Sequence, residues 1–153
     1  MTDFIKFPSD TLEDYLIMLD VKTPASWGSM TAQHMIEHLM LLMELSRGEF
    51  SVSLVTPPEK VEKVKRIILV SDAPFKKDFV APFLPAGLQP LNYFSLKEAK
   101  DKLLKEVDVY LTYWQNNPES TFVHPIFGEL SVAEWHLFHS KHFTHHFTQF
   151  NLL

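Results

Sequence analysis

A histidine-rich helix near the end of the chain constrains the fold more than any other feature of the sequence. Five of the eight histidines fall between His136 and His146. Ser131 followed by Glu134 has the spacing of a capping box, in which two side chains satisfy free amides at a helix start. The sequence therefore predicts a final helix that begins at Ser131 and runs to about Phe150, with imidazoles on several turns.

The spacing of these histidines decides which of them can share a face of the helix. A helix advances about 100° per residue, so positions i, i+3, i+4 and i+7 lie on one side. His142 and His146 therefore stand one turn apart, at the spacing that lets two imidazoles converge on one ion. His136 lies away from this side and His145 lies toward one flank. The predicted face consists of aromatic and polar side chains: Trp135, His139, His142, His146 and Gln149.

A second pair with the same spacing, His34 and His38, lies on a helix predicted over Met30–Arg47. Zinc prefers four ligands, and catalytic zinc sites typically combine three protein ligands with a water. Either histidine of this pair can supply a third imidazole if the two helices are neighbours. Imidazole suits zinc, nickel, copper and iron(II), and the spacing does not choose among them. The alternative is a set of surface histidines that bind no metal.

The remaining segments favour helices over strands. Apolar residues recur at helical spacing over Ser9–Asp20, over the run that follows Pro58, and over Ser95–Asn116. No segment alternates apolar and polar residues over a length useful for a strand. The length is that of a single domain, residues 1–153. Together these features predict an all-α fold, an antiparallel four-helix bundle with a long crossover.

That crossover, Val70–Phe94, is rich in proline and phenylalanine. Its prolines forbid a long helix, and its phenylalanines are too apolar for a solvated linker. These residues are Pro74, Pro82, Pro85 and Pro90, with Phe75, Phe79 and Phe83. Loops of this length are uncommon inside a compact domain and are often functional when present. Two interpretations stay open: a packed connection that covers the core, and a lid or wall of a pocket.

Composition excludes several classes of function. The chain has no cysteine, which excludes disulfide scaffolds, thiolate nucleophiles and cysteine-based metal sites. The net charge is −5 and positive residues form no stripe, whereas nucleic-acid binding requires a clustered positive face. No stretch approaches the roughly 20 apolar residues of a membrane span, and the N-terminus lacks a signal-peptide pattern. We therefore expect a cytoplasmic protein that binds neither nucleic acid nor membrane.

Two local motifs carry a resemblance to a known family. The first is Trp27-Gly-Ser-Met-Thr-Ala-Gln-His-Met-Ile-Glu-His38-Leu. The second is Phe127-Gly-Glu-Leu-Ser-x-x-Glu-Trp135, followed by Leu137-Phe-His139-x-Lys-His142-x-x-His145-His146-x-x-Gln149-Phe. In this order they resemble the DinB-like proteins of the DinB/YfiT-like superfamily, closest to a subgroup of unknown function. The resemblance implies a four-helix bundle that binds a divalent metal through one histidine on the second helix and two on the last.

Carried over by position, this resemblance makes His38, His142 and His146 the metal ligands. His34 and His139 would lie beside these ligands or in the pocket wall. Gln149 would hydrogen-bond a ligating imidazole or a water on the metal. Zinc or nickel are the leading candidates for the ion, with iron or manganese as alternatives. Because the superfamily includes thiol-cofactor-dependent transferases and isomerases, a small-molecule thiol is a further candidate ligand.

Three hypotheses for the function stay open. The first is a metal-dependent enzyme acting on a small molecule, for example a thiol-cofactor-dependent transferase. The second is a non-catalytic bundle that binds metal or a ligand, and the third is a structural dimer with a vestigial site. No general base stands out, because Glu37 lies about 100° around the helix from His38 and Glu134 is assigned to the capping box. A homodimer is expected, because relatives are often dimers and Phe147 and Phe150 are expected to be exposed.

Overall fold

Three long helices and one short β-hairpin form most of the regular structure. The computed structural model describes residues 3–77 and 87–153. The elements in chain order are α1 (Glu13–Leu16), α2 (Ala32–Leu45), α3 (Val61–Val64), α4 (Leu96–Asn116), β1 (Phe122–His124), β2 (Gly128–Leu130) and α5 (Val132–Gln149). A 3₁₀ turn, Pro58–Lys60, precedes α3, and a π-helical segment, Lys65–Val70, follows it.

Each of the three long helices begins with a side-chain cap, and that of α5 is the predicted capping box. The hydroxyls of Thr31, Ser95 and Ser131 accept the amide three residues further on, at the starts of α2, α4 and α5. At α5 the Glu134 carboxylate also accepts the Ser131 amide, which completes the capping box. The helix α2 packs against both α4 and α5. The histidines of the second and last helices are therefore brought onto neighbouring elements.

The predicted four-helix bundle is wrong, because only three of the five described α-helices exceed one turn, and a two-stranded sheet accompanies them. The segment expected as the first helix forms only Glu13–Leu16. Ser9 and Asp10, at the predicted start of this helix, form other bonds. The Asp10 carboxylate accepts the Lys6 amide, and the Ser9 hydroxyl donates to the Lys6 carbonyl. These bonds close a turn ahead of the helix. The first turn of α1 is left without a side-chain cap.

The all-α prediction is also wrong, because residues 122–130 form an antiparallel hairpin. Its register pairs Phe122 with Leu130 and His124 with Gly128. Gly128 has a φ of +75°, and a Cβ there would lie 2.9 Å from a methyl carbon of Val61. Strands of three residues are too short to display an alternating pattern that can be distinguished from a turn. The sequence pattern therefore predicted no strand in this segment.

The helical segment after Pro58 is anchored by a buried lysine of α5. The ammonium group of Lys141 donates to the carbonyls of Ile68, Leu69 and Ser71, at 2.5, 3.2 and 3.0 Å. Carbonyls at the end of a helix lack partners within the helix, so this lysine satisfies them. Leu69 is the fully buried residue of the segment. The chain that continues from Ser71 is thereby fixed close to α5.

The end of α5 closes the hydrophobic core instead of exposing it. Phe147 and Phe150 are 0% and 1% exposed, and the Leu152 amide donates to the Phe147 carbonyl. Tyr15 packs against Phe147 with ring centroids 5.5 Å apart. The expected exposure of these two phenylalanines, on which the dimer prediction partly depended, is therefore wrong.

None of the helices in the described part of the chain has the length and apolar character needed to cross a membrane.

Candidate metal centre

Three histidines from two packed helices converge on one point. His38 lies on α2, and His142 and His146 occupy successive turns of α5. The Nε2 atom of His142 lies 3.0 Å from Nε2 of His38 and 3.2 Å from Nε2 of His146. Ligand nitrogens at about 2.0–2.1 Å from a zinc ion are roughly 3 Å apart. The observed separations therefore fit three imidazoles around a single divalent cation.

Gln149 fixes which nitrogen of His146 carries the proton. Its amide nitrogen donates to the Trp27 carbonyl at 3.0 Å, so its oxygen faces the His146 ring. That oxygen lies 2.7 Å from Nδ1 of His146 and accepts a hydrogen bond from the Nδ1–H group. In a neutral imidazole the other nitrogen then keeps a lone pair. The Nε2 atom of His146 is thus held ready to ligate, as predicted for a glutamine one turn beyond.

The other two rings are buried without equivalent partners. Among the described residues, Nδ1 of His38 and Nδ1 of His142 accept and donate no hydrogen bond. Phe138 stacks on the His142 ring at a centroid distance of 4.9 Å, with planes 28° apart. Buried polar atoms without partners are costly in a native fold. An ion held by the three Nε2 atoms would account for their convergence, although it would leave these two Nδ1 atoms without partners.

Burial keeps this cluster uncharged. It lowers the pKa of His38 to about 4, with a smaller contribution from His145. Burial also holds the pKa of His142 and His146 well below the usual histidine range, and the neighbouring histidines add to this effect. Neutral imidazole is the form that binds metal. All three rings are therefore in the ligating form at neutral pH.

The cluster lies in the wall of a cavity of about 850 Å³. This volume is within the usual range for small-molecule sites, and most of the wall is apolar. The wall combines aromatic and polar side chains with the three clustered histidines; it includes Trp27, His34, Glu37, Phe75, Tyr93, His124, Phe138, His145 and Gln149. A small molecule in this cavity would reach the clustered nitrogens directly.

Both described ends of the long crossover line this cavity. Residues 73–77 and 87–93 contribute to its wall. The Glu37 carboxylate accepts the amides of Asn92 and Tyr93, at 2.6 and 3.4 Å. His34 lies in the wall as predicted, and its Nε2 donates to the Gln89 carbonyl at 3.0 Å. These bonds support the pocket-wall interpretation for the ends of the crossover, whereas Phe79, Pro82, Phe83 and Pro85 lie outside the described residues.

His139 is absent from the cavity wall, which was one of the two positions predicted for it. Its Nε2 atom lies 2.8 Å from the Ser46 hydroxyl, which also donates to the Met43 carbonyl. The ring is surrounded by aromatic side chains, with Tyr110 at 5.0 Å and Phe7 at 5.4 Å between centroids. Although His139 shares the helix face of the ligands, it lies one turn deeper, where α5 packs on the end of α2. It stabilises the core.

Two further histidines, His124 and His145, line the cavity. His145 contacts the rings of His146 and Trp27 at 4.9 and 5.5 Å. His124, at the end of β1, lies against Phe127 and Phe138 at 4.5 and 4.7 Å. His145 was detectable as a flank of the ligand face. Nothing in the local sequence marks His124, because its position depends on the hairpin.

The nearby carboxylates that the sequence raised as bases are committed to structural bonds. Both oxygens of Glu37 accept hydrogen bonds, one of them from Gln33 at 2.9 Å. Glu134 holds the start of α5 and pairs with Lys65 at 3.0 Å. Glu44 also lines the cavity, six residues beyond His38 on α2, and burial raises the pKa of its carboxyl. The described part of the site thus offers three imidazoles and an apolar wall, with no carboxylate in the histidine cluster itself. No family model, curated protein or solved structure matches this chain.

Proposed function

We propose that this protein is a divalent-metal-dependent enzyme that acts on a small molecule held in the cavity. The observation that carries the proposal is the convergence of three neutral Nε2 atoms, from His38, His142 and His146, in the wall of that cavity. A buried metal cluster with no access would suit a structural role. Three imidazoles beside a cavity leave room in the coordination sphere for a ligand, as catalytic sites do.

The chain's own residues would hold and orient the site. Gln149 anchors the His146 ring through the Trp27 carbonyl, and Phe138 holds the His142 ring by stacking. Such supporting contacts tune a metal site as strongly as the ligands themselves. When bound, a divalent ion would supply Lewis acidity that favours the thiolate form of a thiol or polarises a carbonyl. The aromatic wall limits the access of water to the bound molecule.

A thiol-dependent transfer reaction fits this site better than hydrolysis. Hydrolysis calls for a base beside the ion that activates water. Of the two carboxylates in the cavity wall, Glu37 is engaged by hydrogen bonds, and Glu44 lies six residues, or about 9 Å along α2, from His38. A thiol held as thiolate would already have released its proton to solvent on binding, so its attack would need no such base. Because the chain has no cysteine, the sulfur must come from a second small molecule. The resemblance of the two histidine motifs to DinB-like proteins agrees with this proposal.

The test uses untagged protein loaded with cobalt(II) and titrated with 2-mercaptoethanol. A thiolate that joins the cobalt produces charge-transfer absorption in the near ultraviolet, which we expect for the wild type. His142→Ala should abolish it. His136→Gln is the matched control on the same helix, because His136 is half-buried and bonds Tyr110 rather than the cluster. It should leave the absorption unchanged.

The possible results separate the hypotheses. Cobalt binding with thiolate absorption, lost only in His142→Ala, supports a thiol-dependent metalloenzyme. Cobalt binding without any change on thiol addition favours a non-catalytic metal-binding protein. Equal cobalt binding by the wild type and His142→Ala contradicts the three-histidine site altogether.

A further inference from the structure

The hairpin places a second polar group in the cavity, separate from the three clustered histidines. His124 ends β1 and is buried, and its Nδ1 atom faces the turn that follows. The amides of Ile126 and Phe127 donate to this Nδ1 atom, at 3.0 and 3.4 Å. An imidazole nitrogen that accepts two amides carries no proton. The proton of the neutral His124 ring is therefore on Nε2.

This Nε2–H group is available to a ligand. No described residue accepts a hydrogen bond from it, and it is not among the fully buried atoms without partners. Because His124 lines the cavity, its free donor is reached from the cavity side. Burial also lowers the pKa of His124 to about 3, so the ring stays neutral. By contrast, the polar atoms of Gln149 and Glu37 in the same wall already have partners.

The surroundings of this donor define the ligand that it suits. His124 stacks on Phe127 with planes 28° apart, and Phe138 meets it edge-on. Phe138 also stacks on His142, so a single aromatic ring separates the donor from the proposed metal ligands. The cations of the cavity wall, at residues 76 and 77, are exposed lysines at the start of the crossover. The donor itself is uncharged and lies among aromatic rings, so it satisfies a neutral oxygen well but compensates a full negative charge poorly.

We propose that the cavity recognises an uncharged aryl or similarly unsaturated carbonyl compound, whose oxygen accepts a hydrogen bond from Nε2 of His124. The proposal rests on the proposed function in that the same cavity is taken as the substrate site. It names the substrate class: a carbonyl compound with a flat apolar body. His124 is then a specificity-determining residue that orients this compound beside the clustered histidines.

The test compares two probes of equal shape in metal-free protein, with a chelator present. Acetophenone has a carbonyl oxygen where α-methylstyrene has a methylene group. Their dissociation constants are measured from amide shifts of isotopically labelled protein. The wild type should prefer acetophenone by about five-fold, the net value of a typical hydrogen bond. Benzoate, which is charged, should bind more weakly than acetophenone.

The matched variant is His124→Asn. The asparagine oxygen can replace Nδ1 as acceptor for the two turn amides, while the donor toward the cavity is lost. The preference for acetophenone should fall to about one-fold, with the affinity for α-methylstyrene unchanged. If this variant does not fold, the wild-type ring itself is followed: acetophenone, but not α-methylstyrene, should shift the His124 Nε2 resonance.

Failure here is distinguishable from failure of the metal site. His142→Ala removes a proposed ligand but keeps His124, so its preference for acetophenone should equal that of the wild type. The proposal is overturned if the wild type shows no preference, if His124→Asn retains it, or if neither probe binds at its solubility limit. Tighter binding of benzoate would overturn the uncharged class.

Discussion

Replacing Gln149 by leucine tests whether the contacts around His146 prepare it as a ligand. Gln149 is buried and links two groups: it accepts from Nδ1 of His146 at 2.7 Å and donates to the Trp27 carbonyl at 3.0 Å. Leucine fills a similar volume but offers neither bond. Both the metal affinity and the free energy of unfolding of the metal-free protein should therefore fall. The loss of stability from each bond depends on how deeply that bond is buried.

The two lost bonds do not cost the same. Nδ1 of His146 becomes a buried donor without a partner, which costs about 1–3 kcal/mol. Trp27 is only partly buried, so water can reach its carbonyl and the loss there is about 0.5–1 kcal/mol. The apolar leucine recovers part of this by burying its methyl groups. We expect a net loss of about 2 kcal/mol in the free energy of unfolding, measured with urea in the presence of a chelator.

The loss of metal affinity is separate from this loss of stability. Removing a partner that orients a ligating histidine typically weakens metal binding by about 10- to 100-fold. Competition with a chromophoric chelator measures the zinc affinity directly. Thr144→Val is the matched control on α5, since the Thr144 hydroxyl accepts the Ile5 amide at 2.8 Å and contacts none of the clustered histidines. It should lose comparable stability while binding zinc as the wild type does.

One result would refute the reasoning about His146. If Gln149→Leu loses stability as Thr144→Val does but binds zinc with wild-type affinity, the glutamine does not prepare the ligand. Its role is then confined to packing.

Two further predictions concern stability. Burial lowers the pKa of His38 to about 4 and of His124 to about 3, so the unfolded chain binds more protons than the folded chain between these values and 6.5. The contribution of these histidines to the free energy of unfolding of the metal-free protein is therefore fully present above pH 6.5. It falls on acidification, by up to about 1.4 kcal/mol per pH unit for each such histidine. Urea unfolding at pH 7, 6 and 5 should show this slope, and a flat profile contradicts it. Gly48→Ala should destabilise the protein more than Gly87→Ala. Both glycines have positive φ, but only at Gly48 would an added Cβ clash with another residue, the Phe122 ring, at 2.3 Å. Equal thermal unfolding temperatures of the two variants would contradict this.

Structural features that depend on the residues of a single helix could be predicted from the sequence. The capping box of Ser131 and Glu134 located the start of the last helix, because a cap acts within its own first turn. The four-residue spacing of His142 and His146 placed both imidazoles on one face of α5 for the same reason. His38 could be chosen over His34 only through the family resemblance, since the choice depends on how α2 is rotated against α5.

Features that depend on distant packing were missed. Ser9 and Asp10 are good caps, but their side chains bond within a preceding turn, so the first predicted helix shortened to one turn. His139 shares a face with the ligands, yet the end of α2 covers it with Ser46. His124 reaches the cavity only because two three-residue strands pair across Gly128. None of these outcomes leaves a periodic pattern in the chain.

The metal content of untagged protein tests the central claim most directly. Elemental analysis of the wild type, the control His136→Gln and His142→Ala compares chains that differ by one imidazole on the same helix. Three converging ligands hold one ion, so we expect about one divalent metal per chain in the wild type and in His136→Gln, and its loss in His142→Ala. Equal metal content in the wild type and His142→Ala would contradict the three-histidine centre.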